Sequence, residues 1–413
     1  MPLRVIIVGA GIGGLCTAVA LQQAGHSVQV FEKSRFIGNV GAALLLTPNG
    51  ERVLSALGFD FERAQADEMT CWEIWDGITL STIGRTDLSN AREEYGATLH
   101  TIHRADLHRE LLCLTSHLDV KLGSKVITVD PTLGVIQLED GSKLGADLII
   151  GADGVNSVLR NAIVGVEHSA GARPSGMNAF RFMINTSDLE QDEHFHKLKT
   201  IKGRGSSVFA DTASQTERHL VWYDCQRGQL QNFVGIHSTL KDREQSEDLK
   251  ALLNKEFGHF HPSLVHIINA APEVTDWPLL LYEPLSSWHR GKVVLIGDAC
   301  HPMLPFGGQG ANQAIEDAGA LGAILRDVDS AADIPASLQR FEEVRRLRAS
   351  RVQILSKTRL GKEWEVEDEL RLFVDTSEVA VPRSFSERCQ HDFAFDVYSK
   401  CEELKAASAT QRS

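Results

Sequence analysis

The sequence predicts an α/β protein with a parallel sheet at its N-terminus, a second and mainly antiparallel sheet in the middle, and helices at its C-terminus. Three observations lead there. Over the first 32 residues, short apolar β-branched runs flank a helical segment, the pattern of a parallel sheet with its crossover. From about residue 171 to 281 the periodicity shortens to that of strands. An apolar strand returns near residue 293 and long helical patterns follow it.

Leu3 to Val8 reads as a buried strand, Gly9 to Gly14 as a turn, and Leu15 to Ala24 as a helix stopped by Gly25. Ser27 to Glu32 is the second strand. Lys125 to Val129 and Val135 to Glu139 read as paired strands, and Leu148 to Gly151 as a buried one. In the middle region Asn178 to Ile184, Ser207 to Ala210, His219 to Asp224 and Asn232 to His237 read as strands, with a helix near Glu244 to Phe257. Val293 to Ile296 is again a strand, and Gln313 to Leu325 a helix. Residues 338–364 read as a helix whose Arg340, Arg345, Arg346, Arg348 and Arg351 form a solvated face. The tail after Ser399 is expected to fray.

The chain has 413 residues and a net charge of -13, a field that repels nucleic acid and anionic lipid. Its seven cysteines form no C-x-x-C pair, so neither a disulfide framework nor a zinc site is indicated, and a reducing, cytoplasmic setting is expected. Glycines break the apolar N-terminal run, which argues against a signal peptide, and no apolar stretch is long enough to predict a spanning helix. His194 and His196, and likewise His259 and His261, lack a cysteine or carboxylate to complete a metal set, so no metal site is expected.

Gly9, Gly11 and Gly14 occupy the three positions of G-x-G-x-x-G, between a strand and a helix. The first permits the turn, the second lets backbone approach a pyrophosphate, and the third lets helix and strand pack. Glu32 ends the next strand, where a carboxylate accepts from ribose hydroxyls. The unit is therefore a Rossmann-like site for an adenine dinucleotide, without saying which one.

Two further motifs narrow the choice. Gly151-Ala152-Asp153-Gly154, followed by Ser157 and Arg160, resembles the DG motif of flavoprotein hydroxylases. Gly297-Asp298-Ala299-Cys300-His301-Pro302, running on through Pro305 to Asn312 and Glu316-Asp317-Ala318, resembles their GD motif. With these in order, residues 3 to 360 resemble the single-component FAD-dependent aromatic hydroxylases of the salicylate hydroxylase and para-hydroxybenzoate hydroxylase type, fungal members included.

The resemblance implies bound FAD, with NAD(P)H as a transient co-substrate because no second dinucleotide motif is present. It implies that Asp298 holds ribityl or ribose hydroxyls, and that Gly310 and Ala311 offer backbone N–H groups to the flavin N1–C2=O edge. It assigns Arg104, in His103-Arg104-Ala105-Asp106, to the pyrophosphate. It assigns Ala43 to the cofactor as well, although Gly41-Ala42-Ala43-Leu44 departs from the usual turn. In such enzymes the arginine at Arg160 is tied to the nicotinamide. His301 is expected to bond locally.

Arg181 and Tyr223 match substrate-domain positions of that family, as binder and hydrogen-bond donor for a carboxylate or phenolate. The implied organisation is a first FAD-binding part in residues 1–170, a substrate domain in 171–283, a second FAD-binding part in 284–360, and a C-terminal cover and tail in 361–413. The implied reaction is hydroxylation of a phenolic or other aromatic small molecule by way of a flavin C4a-hydroperoxide, in a monomer or homodimer. Epoxidation or indole oxidation in secondary metabolism is the alternative. A flavin-binding reductase or sensor without oxygenation is the alternative of another class.

Overall fold

The computed structural model describes residues 1–35, 42–165, 171–214, 216–239, 248–376 and 379–410. Gly41, and residues 244–247 of the expected helix near Glu244, lie outside them.

The first sheet has six strands in the order His289–Arg290, Val293–Leu295, Leu148–Gly151, Arg4–Val8, Ser27–Phe31 and Asp119–Lys121. All of its pairs are parallel except the hairpin at His289–Arg290. Its central strands are apolar on both faces, which demands cover on both. Helix Ile12–Gln23 supplies part of it, and helix Gly310–Leu325 packs closely on that helix because Gly322 has no Cβ, which would lie 2.8 Å from the Ala20 Cβ. Both begin three residues earlier than the expected Leu15 and Gln313. Their apolar pattern starts at those later positions, but their first turns are built from the motif glycines themselves.

The second sheet has seven strands: Thr275–Leu281, Arg173–Asn185, Leu230–Ser238, Arg218–Cys225, Gly205–Ala210, Cys71–Asp76 and Thr82–Asp87. It is antiparallel except where Gly205–Ala210 meets Cys71–Asp76. Residues 71–87 were expected with the first FAD-binding part, and here they extend the middle sheet. Helices Glu193–Ile201, Leu249–Phe257 and Pro262–Asn269 cover its far face, closing a core around Phe180, Trp222, Phe233 and Phe257. Only the second of these was expected.

Register fixes which side chains share the near face. Thr275, Arg181, Val234, Val221, Val208 and Ile74 form one row across six strands. His219 lies one step along that face, between Ala210 and Ile236.

Helix Ile334–Leu355 corrects the reading of a solvated basic face. Arg345 is fully buried and Arg348 nearly so, because acidic side chains on neighbouring helices claim them. The expected fraying after Ser399 is also overturned. Helix Val397–Thr410 carries buried Val397 and Cys401, which join the main core. No helix among the described residues is long and apolar enough to cross a membrane.

Candidate active site

The glycine-rich turn fits a dinucleotide by shape. Gly9 has φ +109°, and a Cβ there would lie 2.2 Å from the Ala152 carbonyl oxygen. A Cβ on Gly14 would lie 2.0 Å from the Gly9 oxygen. A Cβ on Gly11 would meet nothing of the chain within 4 Å, so that position opens onto free space at a helix N-terminus that no side chain caps. Backbone N–H groups and the helix dipole there favour phosphate. Glu32 accepts from Ala10 N at 2.9 Å and Ser34 N at 2.8 Å, which fixes its carboxylate at the end of strand Ser27–Phe31.

The two later motifs are locked together. Asp153 accepts from Ser157 Oγ at 2.6 Å and Val158 N at 2.8 Å, capping helix Val158–Val164. Arg160 is buried and donates to the carbonyls of Ala299 at 2.8 Å, Asp298 at 2.6 Å and Val155 at 3.0 Å. These bonds commit its guanidinium to bracing the two motifs, where the resemblance had tied it to a nicotinamide.

Asp298 sits in the short turn Gly297–Ala299, well before helix Gly310–Leu325, so it does not cap that helix. Its side chain is exposed. The chain around it still desolvates the carboxyl and moves its pKa upward, against the pull of His301, Arg104 and Arg160. His301 bonds locally through Nε2 to Asp317 Oδ2 at 2.7 Å, with its ring against Trp288.

Against the near face of the second sheet lies a cavity of about 970 Å³. Ala42, Ala43, Arg104, Gly310 and Ala311 line it from one side, and Arg181 and Tyr223 from the other. Gly9, Gly11, Gly14, Glu32 and Asp298 are not among its lining residues. Most of the remaining wall is apolar, including Trp72, Phe182, Val208, Val221, Val234 and Phe306.

Arg181 makes no side-chain hydrogen bond or ion pair among the described residues, and its Nε is buried without a partner. Burial lowers its pKa, Tyr223 opposes that, and Arg104 adds to it. A half-buried guanidinium in this state is poised for an anion. Tyr223 is placed differently from expectation. Its hydroxyl donates to the Ala43 carbonyl at 2.7 Å, so its proton is already committed to backbone. Burial pushes its pKa up.

Several residues at the site carried no expected role. Asn232 Oδ1 accepts from Ala43 N at 3.2 Å, so Asn232 and Tyr223 together hold that peptide against the second sheet. Asn312 is fully buried, accepts from Thr47 N, and donates to the carbonyls of Leu45 at 3.0 Å and Gly308 at 2.9 Å, joining two walls of the cavity. Arg388 donates to the Phe306 carbonyl at 2.7 Å from the C-terminal segment. Asn312 ends the stretch that follows Gly297 and Asn232 begins an expected strand, whereas Arg388 lies where no motif gave a signal.

Among the described residues there is no group of three or more metal-ligating side chains. His194 lies tilted against His266, His196 bonds the Glu190 carbonyl, His259 bonds Asp211, and His261 caps helix Pro262–Asn269.

Comparison with known proteins agrees with this geometry. Residues 86–355 match the model of an FAD binding domain, and residues 7–53 that of an NAD(P)-binding Rossmann-like domain. The chain is 34% identical over 410 residues to the FAD-dependent monooxygenase cfoG of Aspergillus candidus, covering 96% of this chain and 93% of that protein. It is 34% identical over 381 residues to the 3-amino-4-hydroxybenzoate 2-monooxygenase of Streptomyces cremeus, covering 89% of each. The crystal structure of Klebsiella pneumoniae HpxO complexed with FAD and uric acid shares the fold, with a TM-score of 0.75 and 24% identity over 97% of this chain and 96% of that one.

Proposed function

The chain belongs to the FAD-dependent monooxygenases, and on that premise we propose that it uses NAD(P)H and oxygen to hydroxylate an aromatic small molecule bearing an acidic or phenolic oxygen. The observation that carries the substrate reading is Arg181. It is a partly buried guanidinium, without a protein partner among the described residues, in the wall of an otherwise largely apolar cavity. Arg181 binds the anionic oxygen of the substrate there, and the apolar wall receives the ring.

Bound FAD supplies the redox chemistry: it takes reducing equivalents from NAD(P)H and activates oxygen. The chain's own residues bind, orient and exclude water. Gly9, Gly11 and Gly14 with the helix N-terminus would receive the pyrophosphate, joined by Arg104, while Glu32 and Asp298 would receive hydroxyls of the cofactor. Gly310 and Ala311 would hold the flavin edge, and Ala43, which lines the same cavity, would contact the cofactor as well. Asn312 holds these two walls at fixed separation through Leu45 and Gly308. The apolar lining would exclude bulk water from the space where cofactor and substrate meet.

The cavity volume lies at the upper end of the roughly 300–1,000 Å³ usual for ligand pockets. Residues assigned to FAD, among them Gly310 and Ala311, line part of that cavity, so cofactor and substrate share the volume. The test is consumption of NAD(P)H and oxygen by the yellow protein across phenols, indoles and prenylated aromatics, with peroxide assayed in parallel. A true substrate stimulates turnover with little peroxide. A protein that consumes neither NADH nor NADPH with any of them does not have this activity.

A further inference from the structure

One edge of the cavity wall opens to solvent. Pro272, Glu273, Thr275 and Trp277 line the cavity and are all exposed, on the segment that enters the edge strand Thr275–Leu281. Arg359, also exposed, lines it from the C-terminal side. Trp277 is 52% exposed, and among the described residues it is the one exposed large hydrophobic side chain in this wall. Strand alternation puts Thr275 and Trp277 on the same face. The indole Nε1 donates to Thr275 Oγ1 at 3.2 Å, and that hydroxyl donates to the Arg181 carbonyl at 3.3 Å. The ring is thereby tethered along the strand at the rim of the cavity.

Register relates this rim to Arg181. Thr275 pairs with Arg181 and Trp277 with Ala179, so Trp277 is the diagonal neighbour of Arg181. Such neighbours stand roughly 7–8 Å apart, within reach of an aromatic side chain. On the other side of Arg181, two strands across the sheet, Tyr223 holds the Ala43 peptide of the wall proposed for the cofactor. Arg181 therefore stands between that wall and Trp277. A molecule whose anionic oxygen rests on Arg181 has one side toward the cofactor and the other toward the indole. The cations at the rim are committed among the described residues, Arg359 to Glu217 at 2.8 Å and Lys362 to Glu365 at 3.4 Å, and Glu273 adds a negative charge. The rim thus offers an aromatic surface that suits a neutral ring and repels an acidic one.

Resting on the aromatic hydroxylation proposed above, we propose that Trp277 determines specificity as the platform for a second, uncharged aromatic ring of the substrate. That ring is joined to the reacting ring beside the anionic oxygen held by Arg181, so the substrate class is a two-ring phenol whose linker lies next to the hydroxyl. The outer ring packs on the indole at the rim and needs little of the volume that cofactor and reacting ring share.

The test measures binding to the oxidised, FAD-loaded enzyme by flavin difference absorbance, with 2′-hydroxyacetophenone and 2-hydroxybenzophenone as probes. Both present the same phenol and adjoining carbonyl, and only the second has an outer ring. The wild type binds the two-ring ketone more tightly. Trp277→Ala reduces that preference by about five-fold or more, while binding of the one-ring ketone and FAD content change less than about two-fold. Trp277→Phe retains most of the preference, because a smaller ring still stacks. A preference unchanged in Trp277→Ala overturns the assignment. So does equal weakening of both ketones, which marks a merely structural role. Either result leaves the Arg181 reading standing, since Arg181→Ala is expected to weaken both ketones whatever Trp277 does. A wild type that binds neither ketone overturns the Arg181 reading and this one with it.

Discussion

The guanidinium of Arg345 lies with its Nε 2.9 Å from Asp317 Oδ1, and neither side chain reaches solvent. Arg345 also pairs with Glu316, whose Oε1 accepts from Asn49 at 2.6 Å and from Arg348 at 3.2 Å. The second oxygen of Asp317 accepts from Gly297 N at 2.9 Å and His301 Nε2 at 2.7 Å. Burial works to raise the Asp317 pKa, yet His301 and Arg345 hold it below the ordinary range. One ion pair thus fixes the turn that presents Asp298.

Removing one partner of such a network strands a buried charge, at a cost of about 3–5 kcal/mol. Arg345→Met is therefore expected to lower the midpoint of urea unfolding and to release FAD more readily. Arg340→Met, at a half-buried position of the same helix whose side chain makes no ion pair among the described residues, is the control and leaves both nearly unchanged.

Gly11 and Gly14 separate cofactor binding from folding. Gly11→Ala places its Cβ in open space, so stability without cofactor is unchanged while FAD affinity, read by fluorescence quenching, falls at least ten-fold. Gly14→Ala drives a Cβ into the Gly9 carbonyl and lowers both. Equal stability loss in the two variants argues against the phosphate cradle.

Arg181→Ala keeps the flavin spectrum but raises KM for acidic substrates at least ten-fold, and diverts reducing equivalents to peroxide. A substrate lacking the acidic group is much less affected. Tyr223→Phe acts through the Ala43 peptide, so its effect falls on both acidic and neutral substrates.

Stability is expected to fall on the acid side of neutrality in part through His100. Burial lowers its pKa from 6.5 to about 4, with Arg92 adding to the shift, and its Nδ1 is buried without a partner. The folded protein therefore binds fewer protons than the unfolded chain between these values. The His100 contribution is complete above pH 6.5 and is lost toward pH 4, at up to about 1.4 kcal/mol per pH unit. His100→Phe, which preserves stacking on Phe61, flattens that limb in chemical unfolding at several pH values.

The parts of the molecule legible in the sequence are those where local chemistry dictates local shape. The strand Leu148–Gly151 needed only four apolar positions and a following turn. The glycine motif needed only its spacing and Glu32. The burial of Arg345 and Arg348 was not legible, because a helix rich in arginine looks solvated until Glu316, Asp317 and Asp392 are brought to it by tertiary packing. Residues 71–87 joined the distant sheet through pairing of Cys71 with Gly205 and onward to Ala210, a long-range contact that no local pattern records.

The most direct measurement is turnover of the FAD-loaded protein with NAD(P)H under oxygen-18, using a phenolic substrate that stimulates oxygen uptake, followed by mass spectrometry of the product. One labelled oxygen atom per product molecule is expected, with Arg181→Ala forming far less labelled product for the same reductant consumed. Product carrying oxygen from water, or reductant consumption that yields only peroxide with every aromatic tested, contradicts it.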